Sequence, residues 1–193
     1  MAELKLPLDE ATVRDLAVGD FVELTGRMIT GRDAAHKWLI EQRRDEVAPY
    51  LEGSVIYHCG PVVEGTPETG WRFVAAGPTT SIREEPYQAD VICDYGVRGV
   101  IGKGGMGPKT LDGLSRCGAV YFHAIGGAAQ VLARAIPEVE QVFMLEEFGV
   151  PEALWVIRVE RFPVVVSMDS HGGSLHTEVE AASEARLKEL LGL

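Results

Sequence analysis

VRGVIGKGGMG, residues 97–107, is the stretch on which the fold turns. Val97, Val100 and Ile101 form a short apolar run of the kind that is buried as a strand. That strand, Val97 to Ile101, passes directly into Gly102–Gly107, a loop of glycines carrying one lysine, Lys103. Pro108 to Cys117 follows and reads as a helix, because proline is tolerated in a first turn. The unit is not a Walker A phosphate loop, which needs GxxxxGK followed by Ser or Thr. Here Gly104 follows Lys103, and Val97 stands where the first glycine is required. What remains is an amine on a loop almost without side chains, where a ligand can approach the backbone closely. Lys103 is therefore a candidate anion ligand; the alternative is an ordinary turn with a solvated lysine.

Working outward, Phe21 to Thr30 alternates as a strand, and Ala35, Trp38, Leu39 and Ile40 mark a helical stripe over Arg32 to about Arg44. Ser54–Cys59 and Arg72–Ala76 read as strands, separated by the turn-rich Gly65–Gly70. Ala119–His123 is a strand, and Gly127–Ala135 a small-residue helix ended by Pro137. Gln141–Glu146, Leu154–Val159 and Phe162–Met168 are three further strands. Residues 1–18 read as a leader priming the first long strand. Residues 174–193 read as a C-terminal helix, amphipathic over Glu178–Leu191 with Gly192 as its stop. Strands and helices alternate in the middle while strands cluster late, which predicts a single α/β domain of mixed sheet over residues 1–193.

The chain has 193 residues, 46% hydrophobic and 24% charged, with a formal net charge of −11. Such composition is that of a globular protein. So acidic a surface repels nucleic acid and anionic lipid, so neither is expected as a partner. No apolar run is long enough to span a bilayer and MAELKLPLDE has no apolar signal region, so a cytoplasmic location is expected. Cys59, Cys93 and Cys117 form no CxxC or Cys/His ligand run. The expectation is three reduced, mostly buried thiols and no metal site on this chain.

In this acidic field, cations are informative. Arg32 and Arg83 each stand two residues past a plausible N-cap, Thr30 and Ser81, with an acid next in sequence, Asp33 and Glu84. An arginine in a first helical turn opposes the helix dipole, unless it and the free N–H groups together hold an anion. The competing reading pairs each arginine with its own neighbouring acid, and Pro86 weakens the helix start at Arg83. Thr79 and Thr80, after Gly77–Pro78, read either as caps or as hydroxyls that touch a ligand. His36 lies one turn beyond Arg32 and could face a cleft. There is no GxSxG elbow, HExxH run or Ser-His-Asp order.

Five stretches together resemble one family. TGRMITGRDAAH at 25–36, AAGPTTSIRE at 75–84, VRGVIGKGGMG at 97–107, VYFHAIGGAA at 120–129 and EALWVIRVERFPVVV at 152–166 are similar, in order and spacing, to the β subunit or C-terminal domain of class I fumarases and L-tartrate dehydratases. The resemblance implies a swivelling β/β/α three-layer domain with mixed sheet. It implies reversible hydration of a small dicarboxylate, malate and fumarate or else L-tartrate. It implies a [4Fe–4S] cluster held by a larger α subunit, with which this chain would form a hetero-oligomer. By motif, Arg32, Arg83, Lys103 and Thr80 resemble substrate-binding residues, and Thr79 resembles a residue that takes part in proton transfer. Two positions depart: Cys59 stands in YHCGP where another residue is expected, and Glu84-Glu85-Pro86 follows Arg83 where family members often carry an apolar residue. A domain that binds dicarboxylates without catalysis, as a homodimer, is the reading from a different class. On the enzyme reading, Arg32, Arg83 and Lys103 are expected to converge on one exposed concave face.

Overall fold

The computed structural model describes residues 2–192. In chain order it contains β1 (Ala2–Lys5), α1 (Glu10–Arg14), β2 (Phe21–Thr30), α2 (Asp33–Glu41), α3 (Ala48–Leu51), β3 (Val55–Tyr57) and the hairpin β4 (Val62–Thr66) and β5 (Gly70–Ala75). After a 3-10 turn, Ser81–Glu84, come α4 (Gln88–Tyr95), β6 (Gly99–Gly102), α5 (Pro108–Cys117), β7 (Val120–His123), α6 (Ala129–Arg134) and β8 (Glu138–Phe143). The chain ends in α7 (Leu145–Phe148), β9 (Leu154–Met168) and α8 (Leu175–Leu191).

β3 and β6 are short and buried at every position, and β7 is buried except at its last residue. Strands buried on both faces belong in a parallel sheet covered on each side. β2, β3, β6 and β7 indeed pair in parallel in that order. β9 runs antiparallel to β7 at its end and to β2 along most of its length. The ring β2–β3–β6–β7–β9 thereby closes into a five-stranded barrel, with β1 added on β2 and β8 on β9. Closure leaves these five strands no free edge. The fold is mixed α/β and matches the swivelling β/β/α domain.

β9 is one 15-residue strand where the alternation suggested two. The interruption at Glu160 and Arg161 is a bulge: these two residues face Thr25 alone, since Leu24 pairs with Phe162 and Gly26 with Val159. Arg161 adopts φ 50° and its N–H donates to Thr25 Oγ1 at 3.1 Å. A bulge bends and twists its strand, which helps a small sheet curl shut. Gly26, at φ 134°, is needed there, because a Cβ would lie 2.7 Å from the carbonyl oxygen of Leu6, the residue that follows β1.

Alternate side chains of the strands feed two cores. Tyr57, Ile101, Phe122, Trp155, Ile157 and Phe162 share one with Val13 and Leu132 from α1 and α6. Ile56, Val100, Tyr121 and Val156 share the other with α2–α5, through residues such as Leu39, Leu51, Ile92 and Leu114. The β4–β5 hairpin docks by edge-on aromatic contact, with Trp71 at 5.4 Å and Phe73 at 5.9 Å from Trp155. The first eighteen residues carry more structure than the sequence signalled, since β1 joins the sheet and Leu8, Val13 and Leu16 are buried. α8, in contrast, has no buried residue. Among the described residues no helix is long and apolar enough to cross a membrane.

The cysteine expectation is corrected. Cys93 in α4 and Cys117 at the end of α5 are joined as a disulfide with Cα atoms 5.5 Å apart, leaving Cys59 free and buried. The two helices pack closely, because Gly113 of α5 lies against Ala89 of α4. Their last turns thus meet, which no spacing in the sequence reveals. Thiol titration of the denatured protein without reductant should find one thiol, and three after reduction. Three reactive thiols before reduction would refute the pairing.

Candidate functional site

Because β2, β3, β6 and β7 are parallel, the segments that follow them emerge on one edge of the barrel. Ligands of parallel α/β sheets characteristically bind beyond this carboxyl edge. Arg32 follows β2, His58–Gly60 follow β3, Lys103 follows β6, and Ala124–Gly126 follow β7. The Gly77–Arg83 segment returns from the hairpin and runs between the ends of β3 and β6. Cys59 bridges Pro78, and Thr80 bridges Lys103. The Thr79 N–H donates to His58 O at 2.6 Å, Lys103 N–H to Thr79 O at 3.3 Å and Ser81 N–H to Lys103 O at 3.1 Å. Thr79 and Thr80 are therefore fixed beside Lys103 by backbone, with Arg83 one turn further on. Gly102 makes this possible, since a Cβ there would overlap the Ser81 hydroxyl.

Thr30 is not the cap of α2. It ends β2, and its hydroxyl oxygen accepts Trp155 N–H at 3.0 Å. Arg32 itself occupies the N-cap position, extended at φ −123°, with no side-chain cap bond. The acceptor at this helix start is Glu152, which takes the Ala34 N–H at 3.2 Å and pairs with Arg32 Nη1 at 3.1 Å. Similarly, Thr80 rather than Ser81 is the N-cap of the 3-10 turn. The arginines do not pair with their own sequence neighbours. Arg83 Nη2 lies 3.4 Å from Asp33 Oδ1, so Asp33 joins Arg83 to the Arg32 backbone. Arg32 Nη1 lies over Gly60, 2.8 Å from where a Cβ would be. Lys103 lies over Gly126, with its Cδ 3.3 Å from the corresponding point. Among the described ion pairs none involves Lys103, while both arginines are engaged. Glu152 escaped sequence reasoning, because nothing local marks an acid beside a strand as the partner of an arginine 120 residues away.

Beneath these cations lies a buried polar chain that was also missed. Tyr121 O–H donates to Ser81 Oγ at 2.9 Å, and Ser81 Oγ lies 2.8 Å from His58 Nδ1. His58 Nε2 lies 2.7 Å from Gln88 Oε1, which can only accept, so Nε2 carries the proton and Nδ1 accepts from Ser81. His36 is wholly buried rather than facing a cleft. Its Nδ1 lies 2.8 Å from the Arg32 carbonyl oxygen and therefore carries its proton. The bare His36 Nε2 and the Gln88 Nε2 each lack a partner at full hydrogen-bond geometry, yet are complementary as acceptor and donor. Burial holds both imidazoles below their ordinary range, His58 well below it with His36 adding to the effect. Burial likewise raises the Cys59 thiol to about 12, so it is a packed thiol and not a nucleophile.

Glu84 is the exception in this layer. Its side chain is 0% exposed, its two oxygens have no hydrogen-bond partner, and Oε2 lies 4.0 Å from His58 Nδ1. Burial raises its carboxyl to about 7, the backbone and the arginines opposing and Asp33 assisting. The unfolded carboxyl titrates near 4.5, so between about 4.5 and about 7 the native state binds a proton that the unfolded state releases. Stability should therefore fall as pH rises through that window, by up to about 1.4 kcal/mol per pH unit. Glu84→Gln should remove this component, so it should gain on the wild type more at about pH 8 than at about pH 5 in urea unfolding. An equal difference at both pH values would show that Glu84 does not titrate in that window.

Among the described residues no group of three or more His, Cys, Asp or Glu side chains is placed to hold a metal ion. With Cys93 and Cys117 bonded to each other and Cys59 alone, the thiols of this chain do not fit the ligand set of an iron–sulfur cluster. The sequence matches the family described as Fumarase C-terminus over residues 2–179. A Geobacillus stearothermophilus protein named "Putative fumarate hydratase class I" is 52% identical over 187 residues, covering 96% of this chain and 35% of its own length. The L(+)-tartrate dehydratase subunit beta of Escherichia coli K12 is 41% identical over 177 residues, covering 91% of this chain and 86% of its own. The chain thus spans about a third of the first relative and most of the second. With the barrel and the match over nearly the whole chain in agreement, this protein belongs to the Fumarase C-terminus family, that of class I fumarate hydratase and L-tartrate dehydratase β subunits.

Proposed function

We propose that this chain is the β subunit of a two-subunit iron–sulfur hydro-lyase interconverting malate and fumarate, and that it supplies the dicarboxylate-binding half of the active site. The observation that carries this reading is the emergence of Arg32, Arg83, Lys103, Thr79 and Thr80 on one edge of the barrel in a chain of charge −11. Guanidinium forks suit carboxylates, and Lys103 adds a cation without a carboxylate partner among the described residues. Arg32 and Arg83 hold one end of the substrate and Lys103 the other, with Thr80 orienting it. Thr79, whose backbone is held through its N–H and its carbonyl, is this chain's candidate for proton transfer at the carbon next to the departing hydroxyl; a threonine hydroxyl needs an activating base for that, and without one from the α subunit Thr79 only orients substrate. A Lewis acid assists loss of the hydroxyl, and a [4Fe–4S] cluster held by a larger α subunit would supply that chemistry.

An exposed apolar rim supports a partner at this edge. Ile82, 53% exposed, stands beside Arg83, and Ile125, 71% exposed, stands beside Gly126 under Lys103. Ile125 also borders a recess lined by Phe21, His123, Val131, Leu132 and Val164. Apolar surface next to charged groups marks an interaction face. A second reading, L-tartrate as substrate, is favoured by the E. coli relative, whose length this chain largely covers. Anaerobic co-expression with a cluster-bearing subunit, followed by malate, fumarate and tartrate assays, separates the readings. No turnover of any of the three would remove the enzyme reading, and binding without turnover would favour a non-catalytic dicarboxylate domain.

In the assembled enzyme, Lys103→Met should remove one charge-assisted contact, a loss of about 1.5–3 kcal/mol. Steady-state kinetics should then show kcat/KM lower by about 10- to 150-fold, with little change in the melting curve. Unchanged kcat/KM in an intact fold would make Lys103 an ordinary turn residue.

A further inference from the structure

Among the described residues, the Glu84 carboxyl is the one buried acid next to the arginine pair that the proposed chemistry leaves unused. The groups that face it come from every side. Arg32 and Asp33 lie at the start of α2, His58 follows β3 with His36 packed edge-on against it, Arg83 is its own neighbour on the 3-10 turn, and Tyr121 stands on β7. None of these gives its oxygens a hydrogen bond. His58 cannot, because its Nδ1 is already the acceptor of the Ser81 hydroxyl. The two imidazoles are neutral, so the positive charges that oppose a Glu84 carboxylate are the two guanidiniums. Those same guanidiniums are engaged by Glu152 and Asp33, and on the reading above they also receive the substrate. A dianion arriving there takes up their field and adds its own repulsion. A bare carboxylate at Glu84 then keeps only its own backbone N–H against burial and the added negative charge.

We infer that Glu84 is a proton-linked positioning residue: it takes up a proton from solvent when a dicarboxylate dianion binds at Arg32 and Arg83, and releases it when the anion leaves. No bond other than this O–H forms or breaks. The inference rests on the dicarboxylate reading. It deepens that reading by predicting that affinity for the dianion falls with rising pH although the anion and both arginines keep their charges. Linkage is reciprocal, so the pH that empties Glu84 of its proton also weakens the anion's hold.

The test uses the assembled complex and succinate, a dicarboxylate with no hydroxyl to lose and no double bond to hydrate. Calorimetry in buffers of different ionisation enthalpy counts the protons taken up per succinate. The wild type should take up about half a proton near pH 7, approaching one above pH ~8, while Kd weakens about tenfold per pH unit. Glu84→Gln should bind with no uptake and a flat Kd over the same range. Glu152→Gln, which alters the other acid at Arg32, should keep the uptake. If Glu84→Gln fails to assemble, Glu84→Met provides the same comparison. Succinate binding by the wild type without proton uptake, or uptake that survives in Glu84→Gln, would overturn the inference and leave the dicarboxylate reading standing. Absence of any succinate or malate binding would overturn that reading and this inference together. A Glu84 that is merely structural would shift the melting temperature on substitution without altering the proton count.

Discussion

The rest of the site depends on one steric fact: the Ser81 hydroxyl occupies the space that any side chain at residue 102 would need. A glycine at the end of β6 lets the returning Thr79–Ser81 backbone lie against the Lys103 strand exit and exchange hydrogen bonds with it. Without that approach the segment carrying Thr79, Thr80 and Arg83 would lose its hydrogen bonds to Lys103. The hydroxyl itself is not spare. It accepts a hydrogen bond from Tyr121 O–H and donates its own to His58, so the wedge is also the middle of a directed hydrogen-bond chain. A buried network of this kind specifies one arrangement only when its members are satisfied.

That network explains how a cationic edge can be held on an acidic protein. Positive charge at the barrel's carboxyl edge is confined to side chains on its surface, while the buried imidazoles below are kept neutral by desolvation. The acids near the edge are distributed crosswise: Glu152 serves Arg32 and the α2 N-terminus, and Asp33 serves Arg83. Each guanidinium is thus oriented before a ligand arrives, which lowers the ordering cost of binding. Lys103 is held differently, by packing its methylene stem over Gly126, and its amine enters none of the described ion pairs.

The barrel supplies the rigidity these arrangements need. The parallel strands deliver four loops to one edge, and the long β9 ties both ends of the ring together through its bulge at Glu160 and Arg161. Two separate cores grip the same strands from opposite faces, so each strand end is fixed by packing on both sides. Sites built on strand ends of this kind hold their geometry better than sites built on free loops.

By itself the sequence determined the elements that are periodic and the loops that are chemically marked. Phe21–Thr30 and Pro108–Cys117 were legible to the residue, because alternation and an N-terminal proline are local signals. Arg32, Thr79, Thr80, Arg83 and Lys103 were legible as candidates because they stand in motifs rich in glycine and proline. Tertiary structure alone decided who partners whom. The Cys93–Cys117 bond, the Glu152–Arg32 pair, the continuity of β9 and the neutral chain through His58 and His36 join residues that only closure of the barrel makes neighbours. The physical reason is that propensity and hydrophobic period act over a few residues. Charge pairing, burial and the tautomer of a histidine are set by what lies across a few ångströms of space, and the sequence carries that distance only through the whole fold.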